Sequence, residues 1–356
     1  MNKDRNFLLI SVFLISLFGL IMIYSSSNIW ALYKYNDAFK YLKSQGLFLL
    51  MGYFLLFITS KINYNYYYKY SNIIIITCII LLILVLIPGI GSVRNGSRSW
   101  FGIGSMGIQP SEFTKLGLII FASKYLSKNK IKTIKEVIPL LMVILLIFGL
   151  IMLEPDLGTD LIILVSAIAL LFIVGINLKF FIKTGILGII GIIILIIIAP
   201  YRMKRITSFI NPWSDPLGSG FQIIQSLYAI GPGGLLGMGL GNSIQKHFYL
   251  PEPQTDFIFS IISEELGIMG IIIIATLFLI IFYSGFSISL NQEDRFAKYL
   301  SFGLTFELAF QTLLNLMVVV GLIPVTGVTL PFLSYGGSSL LISMMSIGII
   351  INISRR

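Results

Sequence analysis

Charge is scarce in this chain. Asp, Glu, Lys and Arg make up 11% of its 356 residues, less than half the share of about 25% in a water-soluble domain, which excludes water as the main solvent of the fold. Cysteine occurs once, at Cys78 inside an Ile/Leu run; no internal disulfide can form, and a lone thiol in such surroundings reads as a small core residue. Histidine also occurs once, at His247, and cannot build a zinc site by itself. P-loop spacing, a Ser/His/Asp order and Cys/His metal spacing are all missing, so ATP hydrolysis is not the power source. Acidic residues number 15 against 25 basic ones, for a formal charge of +10. In a membrane protein that excess orients the chain through cytoplasmic Lys and Arg, and no nucleic-acid partner is needed to explain it.

What is present is apolar sequence: 56% of the residues are hydrophobic, and the mean hydropathy is +0.94. Windows of about 20 apolar residues, the length that crosses the hydrocarbon core, are centred on 7–24, 44–60, 72–89, 111–127, 136–153, 157–175, 184–200, 256–285, 299–320 and 334–353. The expected fold is all-α, a polytopic integral membrane protein of about ten transmembrane helices. No polar block is large enough to fold apart, so residues 1–356 read as a single membrane domain, with the first span as an uncleaved signal anchor. Placing the N-terminus in the cytoplasm puts Lys61, Lys69, Lys124, Lys128, Lys135, Lys183, Arg295 and Lys298 inside and leaves both termini cytoplasmic. Residues 90–110, the 154–156 turn, the long segment at about 200–255 and the Gly/Pro-rich stretch 321–337 then fall outside. A structureless loop of such length is uncommon and tends to be functional.

Four constellations on that outer side could carry chemistry. The densest runs from His247 through Pro251-Glu252-Pro253-Gln254-Thr255-Asp256-Phe257 to Glu264-Glu265. Thr255 or Asp256 can cap the helix that follows. Capping does not account for the recurrence of Asp256, Ser260 and Glu264 at four-residue spacing, which would place Glu264 about 12 Å deeper on the same stripe. Carboxylates at that depth default to a functional reading, with a structural ion pair as the alternative for Glu264 and Glu265. The second constellation joins Arg94, Arg98 and Trp100 to Gln109-Pro110-Ser111-Glu112, where Ser111 fits an N-cap, Glu112 and Lys115 form an i,i+3 pair, and Trp100 is either a ligand contact or an interfacial anchor. The third is the turn Glu154-Pro155-Asp156-Leu157-Gly158-Thr159-Asp160, in which Pro155 stops one helix, Asp156 or Thr159 caps the next and Asp160 needs a buried partner. The fourth holds the external basic residues Arg202, Lys204, Arg205 and Lys246, which suit a phosphate or pyrophosphate but also suit interfacial snorkelling. The glycines of 231–241 and of 327–337 read as irregular backbone lining a cavity, the latter as a re-entrant loop.

Six collinear segments carry a resemblance: Gly96 to Trp100, Gln109 to Lys115, Glu154 to Thr159, Asn211 to Pro216, Pro251 to Phe259 and Pro331 to Ser338. Together they resemble the shape, elongation, division and sporulation (SEDS) proteins, the FtsW/RodA/SpoVE family, over almost the whole chain. The run Gln222 to Gly234, the Pro-Glu-Pro-Gln-Thr-Asp spelling and the short tails are closer to its division and sporulation branch than to RodA. Where many relatives have Arg-Trp this chain has Ser99-Trp100, which leaves open whether Arg98 faces the site.

The resemblance implies a peptidoglycan glycosyltransferase that polymerises lipid II into glycan strands at the outer face of the bacterial cytoplasmic membrane. It implies work with a class B penicillin-binding protein transpeptidase and with other divisome or sporulation proteins. By resemblance Asp256 is catalytic, and its chemistry is that of a general base on the acceptor GlcNAc 4-hydroxyl. Trp100, Arg98, Arg205, Lys246, Glu252, Gln254 and Thr255 are then expected at the substrate, and Glu112, Lys115, Glu154, Asp156, Asp160 and Glu264 in support. The leaving undecaprenyl pyrophosphate needs cationic stabilisation from Arg205, Lys246 or a divalent cation, magnesium or manganese; no metal-ligand set is readable. Two rivals stand beside this reading. A lipid II flippase would need polar residues deep on both sides, whereas the inner half offers little beyond Glu307 and Gln311 and the outer face holds the rest; a non-catalytic scaffold would leave Asp256 and the external basic residues without a task.

Overall fold

A computed structural model describes residues 2–94, 96–102, 107–129, 131, 134–176 and 200–355, together with positions 181–183, 185, 186, 188, 190, 191, 193 and 197. Its helices are α1 (Asn2–Tyr35), α2 (Lys40–Lys61), α3 (Tyr64–Leu86), α4 (Pro110–Lys128), α5 (Ile138–Leu153), α6 (Leu157–Ile173), α7 (Pro200–Ile210), α8 (Phe221–Ile230), α9 (Ile258–Leu290), α10 (Arg295–Val319) and α11 (Gly337–Ile353). A short hairpin, β1 (Ser92–Arg94) and β2 (Ser97–Trp100), stands between α3 and α4. The chain is thus an all-α polytopic membrane protein, and nine of the expected spans coincide with α1 to α6 and α9 to α11. The expected seventh span, 184–200, lies largely outside the described residues, as do the side chain of Arg202 and residues 103–106 of the second constellation.

Among the described residues five helices, α1, α2, α3, α9 and α10, are long and apolar enough to cross a membrane, and α5, α6 and α11 are shorter apolar helices. Large apolar side chains such as Ile10, Leu14 and Ile21 on α1 and Leu50, Phe54 and Phe57 on α2 face outward, as lipid requires. Between helices the contacts are made by small residues, which substitute for a hydrophobic driving force that lipid does not supply. A Cβ at Gly348 on α11 would lie 2.5 Å from the Leu56 carbonyl of α2, and one at Gly117 on α4 would lie 2.7 Å from Cys78 Sγ of α3.

Polar residues terminate these elements. Asn63 accepts from the Asn65 amide at the start of α3, Asp156 from the Thr159 amide at the start of α6, and Asp294 from the Phe296 and Ala297 amides at the start of α10. Two of the boundaries that differ from the sequence reading have a visible cause. α1 continues to Tyr35 because Ser25, Ser26 and Ser27 are buried and bonded, Ser25 to Glu265 and the others to the Ile23 carbonyl. α4 begins at Pro110 with Gln109 as its N-cap; proline is pre-organised for a first helical position, and Ser111 Oγ makes no cap bond.

Candidate active site

α9 starts at Ile258, and its N-cap Phe257 gives no side-chain cap. Asp256 therefore neither caps the helix nor lies on its stripe. It sits in the turn-rich approach 251–257, which the two prolines keep out of helix. Its Oδ1 accepts from Thr255 Oγ1 at 2.9 Å, and Thr255 Oγ1 is also 2.7 Å from the Glu252 carbonyl. Burial raises the Asp256 carboxyl above the ordinary carboxylate range; Thr255 and the Arg205 charge pull the other way, and the Glu252 charge adds to the rise. Arg205, exposed on α7, donates from Nη1 to the Val325 carbonyl at 2.9 Å. Gln254 is buried, and its carbonyl accepts from the Tyr335 amide at 2.8 Å.

The non-helical stretch 324–336 packs inward as a re-entrant loop: a Cβ at Gly19, in the middle of α1, would lie 2.5 Å from the Phe332 carbonyl. Gln45 of α2 holds it from the other side, donating to the Ser334 carbonyl and accepting from the Gly336 amide. Tyr335 stacks edge-on against Tyr41 at 4.9 Å. Asp256, Glu252, Arg205, Tyr335 and Tyr41 are thereby gathered at one end of the bundle.

The hairpin corrects the choice of arginine. Arg94 lies over the Trp100 ring, its guanidinium carbon 4.8 Å from the centroid, and its charge reaches Tyr335. Arg98 turns back to the Leu86 carbonyl at the C-terminal end of α3, 3.5 Å away, so of the two arginines it is Arg94 that lies against Trp100. Lys246 is corrected too. It is 2% exposed, 3.1 Å from Glu265 and bonded to the Gly241 carbonyl, which leaves no free ammonium for a phosphate.

Glu264 and Glu265 form a clamp away from the Asp256 segment. Glu264 accepts from Ser243 Oγ at 2.5 Å and from the Ile244 amide at 2.9 Å, while Glu265 accepts from Ser25 Oγ and Lys246 Nζ. The two carboxylates pin the glycine-rich segment to α9 where that helix kinks at Gly267, whose φ of 60° and ψ of −155° glycine alone adopts readily. Ser260 instead pairs with Ser226 of α8 at 2.7 Å.

The supporting residues separate into two groups. Lys115 Nζ lies 3.1 Å from Glu112, 3.8 Å from Glu307 and 2.7 Å from Gln311 Oε1, so the i,i+3 pair becomes a buried cluster joining α4 to α10. Asp156 caps α6 and accepts from Gln109 Nε2 at 3.0 Å. Glu154 and Asp160 are wholly buried. The Glu154 carbonyl accepts from Ser97 Oγ, whereas its carboxylate oxygens have no hydrogen-bond partner among the described residues; burial and the Asp156 charge push it up to about 8. Among the described residues no three His, Cys, Asp or Glu side chains converge in a way that could hold a metal ion.

Sequence reasoning passed over Asn315. Its Nδ2 donates to the Asp256 carbonyl and to the Val328 carbonyl, each at 2.7 Å. The signal was available in α10, where Glu307, Gln311 and Asn315 recur every four residues within an apolar helix.

This geometry defines a class: a polytopic membrane protein with an acid, an arginine and an aromatic wall assembled on irregular backbone at one end of its bundle. The chain belongs to the FtsW, RodA and SpoVE family, whose model, described as cell cycle protein, matches residues 5–356. It is 49% identical to stage V sporulation protein E of Bacillus subtilis (strain 168) over 357 residues, 99% of this chain and 97% of that protein. It is 40% identical to the probable peptidoglycan glycosyltransferase FtsW of Trichlorobacter lovleyi over 350 residues, 98% of this chain and 92% of that one. Its fold matches a chain from a solved peptidoglycan synthase complex described as coordinating polymerization and crosslinking, with a TM-score of 0.81 and 29% identity over 98% of this chain and 96% of that one. It also matches the rod shape determining protein RodA of Thermus thermophilus, with a TM-score of 0.73 and 26% identity over 98% and 95%. Within the family the chain falls in the sporulation and division branch.

Proposed function

We propose that this chain is a peptidoglycan glycosyltransferase that polymerises lipid II at the outer face of the cytoplasmic membrane, in division or sporulation, with Asp256 as the general base. The observation that carries the reading is a buried, raised carboxyl at Asp256 that feels the Arg205 charge, with Arg205 and the Asp256 main chain tied to the same loop at Val325 and Val328, on a chain similar throughout to peptidoglycan glycosyltransferases. Asp256 takes the proton of the acceptor 4-hydroxyl as that oxygen attacks the anomeric carbon of the donor. The bond from that carbon to the pyrophosphate oxygen breaks, and undecaprenyl pyrophosphate leaves with the electron pair. A base whose pKa lies closer to the working pH is the more effective proton acceptor. Arg205 meets the charge that develops on the leaving group, and the surface of Arg94, Trp100, Tyr41 and Tyr335 suits the sugar and peptide parts of the substrate. Glu252, Gln254 and Thr255 shape the approach to Asp256. A divalent cation bound with the pyrophosphate would supply further charge neutralisation, and no step above depends on one.

The site end is the extracytoplasmic end, with both termini cytoplasmic, because the opposite-side loops carry Lys61, Lys69, Lys124, Lys128 and Lys135. A class B penicillin-binding protein that cross-links the strands is the partner, in keeping with the synthase complex whose chain this fold matches. A flippase reading is weaker on one further ground. The deep charges of α4 and α10 neutralise each other around a void of about 10 Å³ lined by Lys115, Ser166 and Glu307, which is room for about one water molecule and none for a disaccharide headgroup.

The test is polymerisation of labelled lipid II by the purified protein with its cognate transpeptidase, comparing wild type with Asp256→Asn on a glycan gel. Long strands from wild type and none from the variant are expected; equal strands from both would overturn the assignment of the base.

A further inference from the structure

Glu307, Gln311 and Asn315 lie one above the other on α10 and are 3%, 2% and 1% exposed. A buried amide in an apolar helix is costly unless its hydrogen-bonding groups are used. Gln311 uses its own on Lys115 and, through Nε2 at 3.0 Å, on the Thr329 carbonyl. Asn315 directs both donors at main-chain carbonyls, those of Asp256 and Val328, and its buried Oδ1 has no partner among the described residues. An amide carries two N–H donors, so Asn315 uses its full donating capacity to tie together two segments, 251–257 and 324–336, that lie outside the helices and the hairpin. The second of these also receives Arg205, at Val325. The acid and the cation therefore hang from the same loop, three residues apart, and Asn315 is the side chain that fastens the acid to it.

We infer that Asn315 is a positioning residue for glycosyl transfer, setting the Asp256 carboxyl relative to the Arg205 guanidinium by holding the Asp256 main chain against Val328. The inference rests on the reading of Asp256 as the base. Asn315 takes no part in proton transfer; it acts through geometry, where a displacement of about 1 Å is enough to cost on the order of a hundredfold in rate.

The experiment measures steady-state polymerisation of lipid II by the full chain with its transpeptidase, separating kcat from KM and following kcat from neutral into mildly acid pH. Asn315→Ala removes both donors. Asn315→Asp keeps the shape while turning an acceptor toward the two carbonyls. Thr312→Val is the control, since Thr312 lies on the same helix, is 3% exposed and among the described residues bonds only to the Leu308 carbonyl of its own helix. The expected result is that both Asn315 variants purify monodisperse and keep their partner, kcat falls at least about tenfold with KM within about twofold, and the acid limb of the pH profile moves upward in Asn315→Asp, whose carboxylate adds its field at Asp256, while it stays in place in Asn315→Ala; Thr312→Val stays within about twofold of wild type. Wild-type kcat with an unmoved acid limb in Asn315→Asp overturns the inference. So does a loss shared equally by kcat, KM and partner binding, or failure of both variants to fold, since each would make Asn315 a stability device. If Asp256→Asn polymerises normally, the base assignment itself falls, whereas an active Asn315→Asp beside an inactive Asp256→Asn refutes the positioning role alone.

Discussion

Glu154 gives the sharpest physical prediction. It follows the last turn of α5, whose unpaired carbonyls already disfavour negative charge; it is wholly buried, and neither carboxylate oxygen has a hydrogen-bond partner among the described residues. Its pKa is pushed from 4.5 up to about 8, first by burial and then by Asp156. A carboxyl raised on folding keeps its proton in the folded state over a range where the unfolded chain has lost it. Its contribution is therefore fully present below about pH 4.5, is lost as the pH rises, and levels off above about pH 8. Each pH unit inside that window is worth about 1.4 kcal/mol, so wild type should lose roughly 3 kcal/mol between about pH 5.5 and 8. Glu154→Gln has the same shape and does not titrate, so it should lack that slope. In thermal melts of the detergent-purified protein followed by tryptophan fluorescence, the variant's lead over wild type should widen by on the order of 5 °C across that range. A lead that does not change with pH would mean that the carboxyl is solvated or paired, and would refute the argument.

Two further outcomes follow from the corrected site. Lys246→Ala leaves Glu265 buried without its ion-pair partner and should cost about 3–5 kcal/mol, read as a loss of folded yield in the membrane, whereas Lys246→Met combined with Glu265→Gln should recover much of it; equal yields for single and double variants would show that the pair is not what holds the glycine-rich segment. Because burial raises the Asp256 carboxyl, and the base must be deprotonated to act, the acid limb of kcat/KM should lie above the ordinary carboxylate range. A limb at or below that range in the wild-type enzyme, followed by lipid II turnover against pH, would contradict the buried environment.

The fold was legible because lipid imposes one rule on sequence, a window of about 20 apolar residues per crossing, and this chain repeats it almost without interruption. Caps were legible where the chemistry is local: the sequence narrowed the cap of α6 to Asp156 or Thr159, and the structure gives it to Asp156, which accepts from the Thr159 amide. What could not be read was which polar groups would meet across the bundle. Lys246 and Arg205 are both basic residues in the same long segment, yet one is buried against Glu265, 19 residues on, and the other is exposed and bonded to the Val325 carbonyl, 120 residues on, partners that composition does not reveal. The expected stripe of Asp256, Ser260 and Glu264 failed at its first member, because the helix begins at Ile258, two residues later than the periodicity predicts, and Asp256 stays in the turn-rich approach that Pro251 and Pro253 open. Arg94 and Arg98 differ by four residues on a hairpin with a register irregularity between Ser92 and Val93, and a shift of pairing decides which face of a hairpin a side chain takes.

The arrangement suggests why a membrane enzyme of this kind places its reacting group on irregular backbone. A carboxylate inside a span has to be held by fixed partners, as Glu112, Glu265 and Glu307 are here by lysines and Glu264 by Ser243 and the Ile244 amide, and a carboxylate so held is no longer free to accept a proton. Asp256, lying just before α9, escapes that fate but forfeits the rigidity that a helix supplies. Side chains rooted in the bundle restore the rigidity: Asn315 holds the Asp256 main chain, and Gln45 and Gln311 hold the loop against which it rests. Each of these is an amide, which can fix a carbonyl without bringing a charge that would shift the pKa of the base. Replacing any of them by a charged residue would then disturb the reaction in two ways at once, through geometry and through the field at Asp256, whereas replacement by a smaller neutral residue acts through geometry alone. Comparing Gln45→Ala with Gln45→Glu separates the two, because only the second should move the acid limb upward in pH.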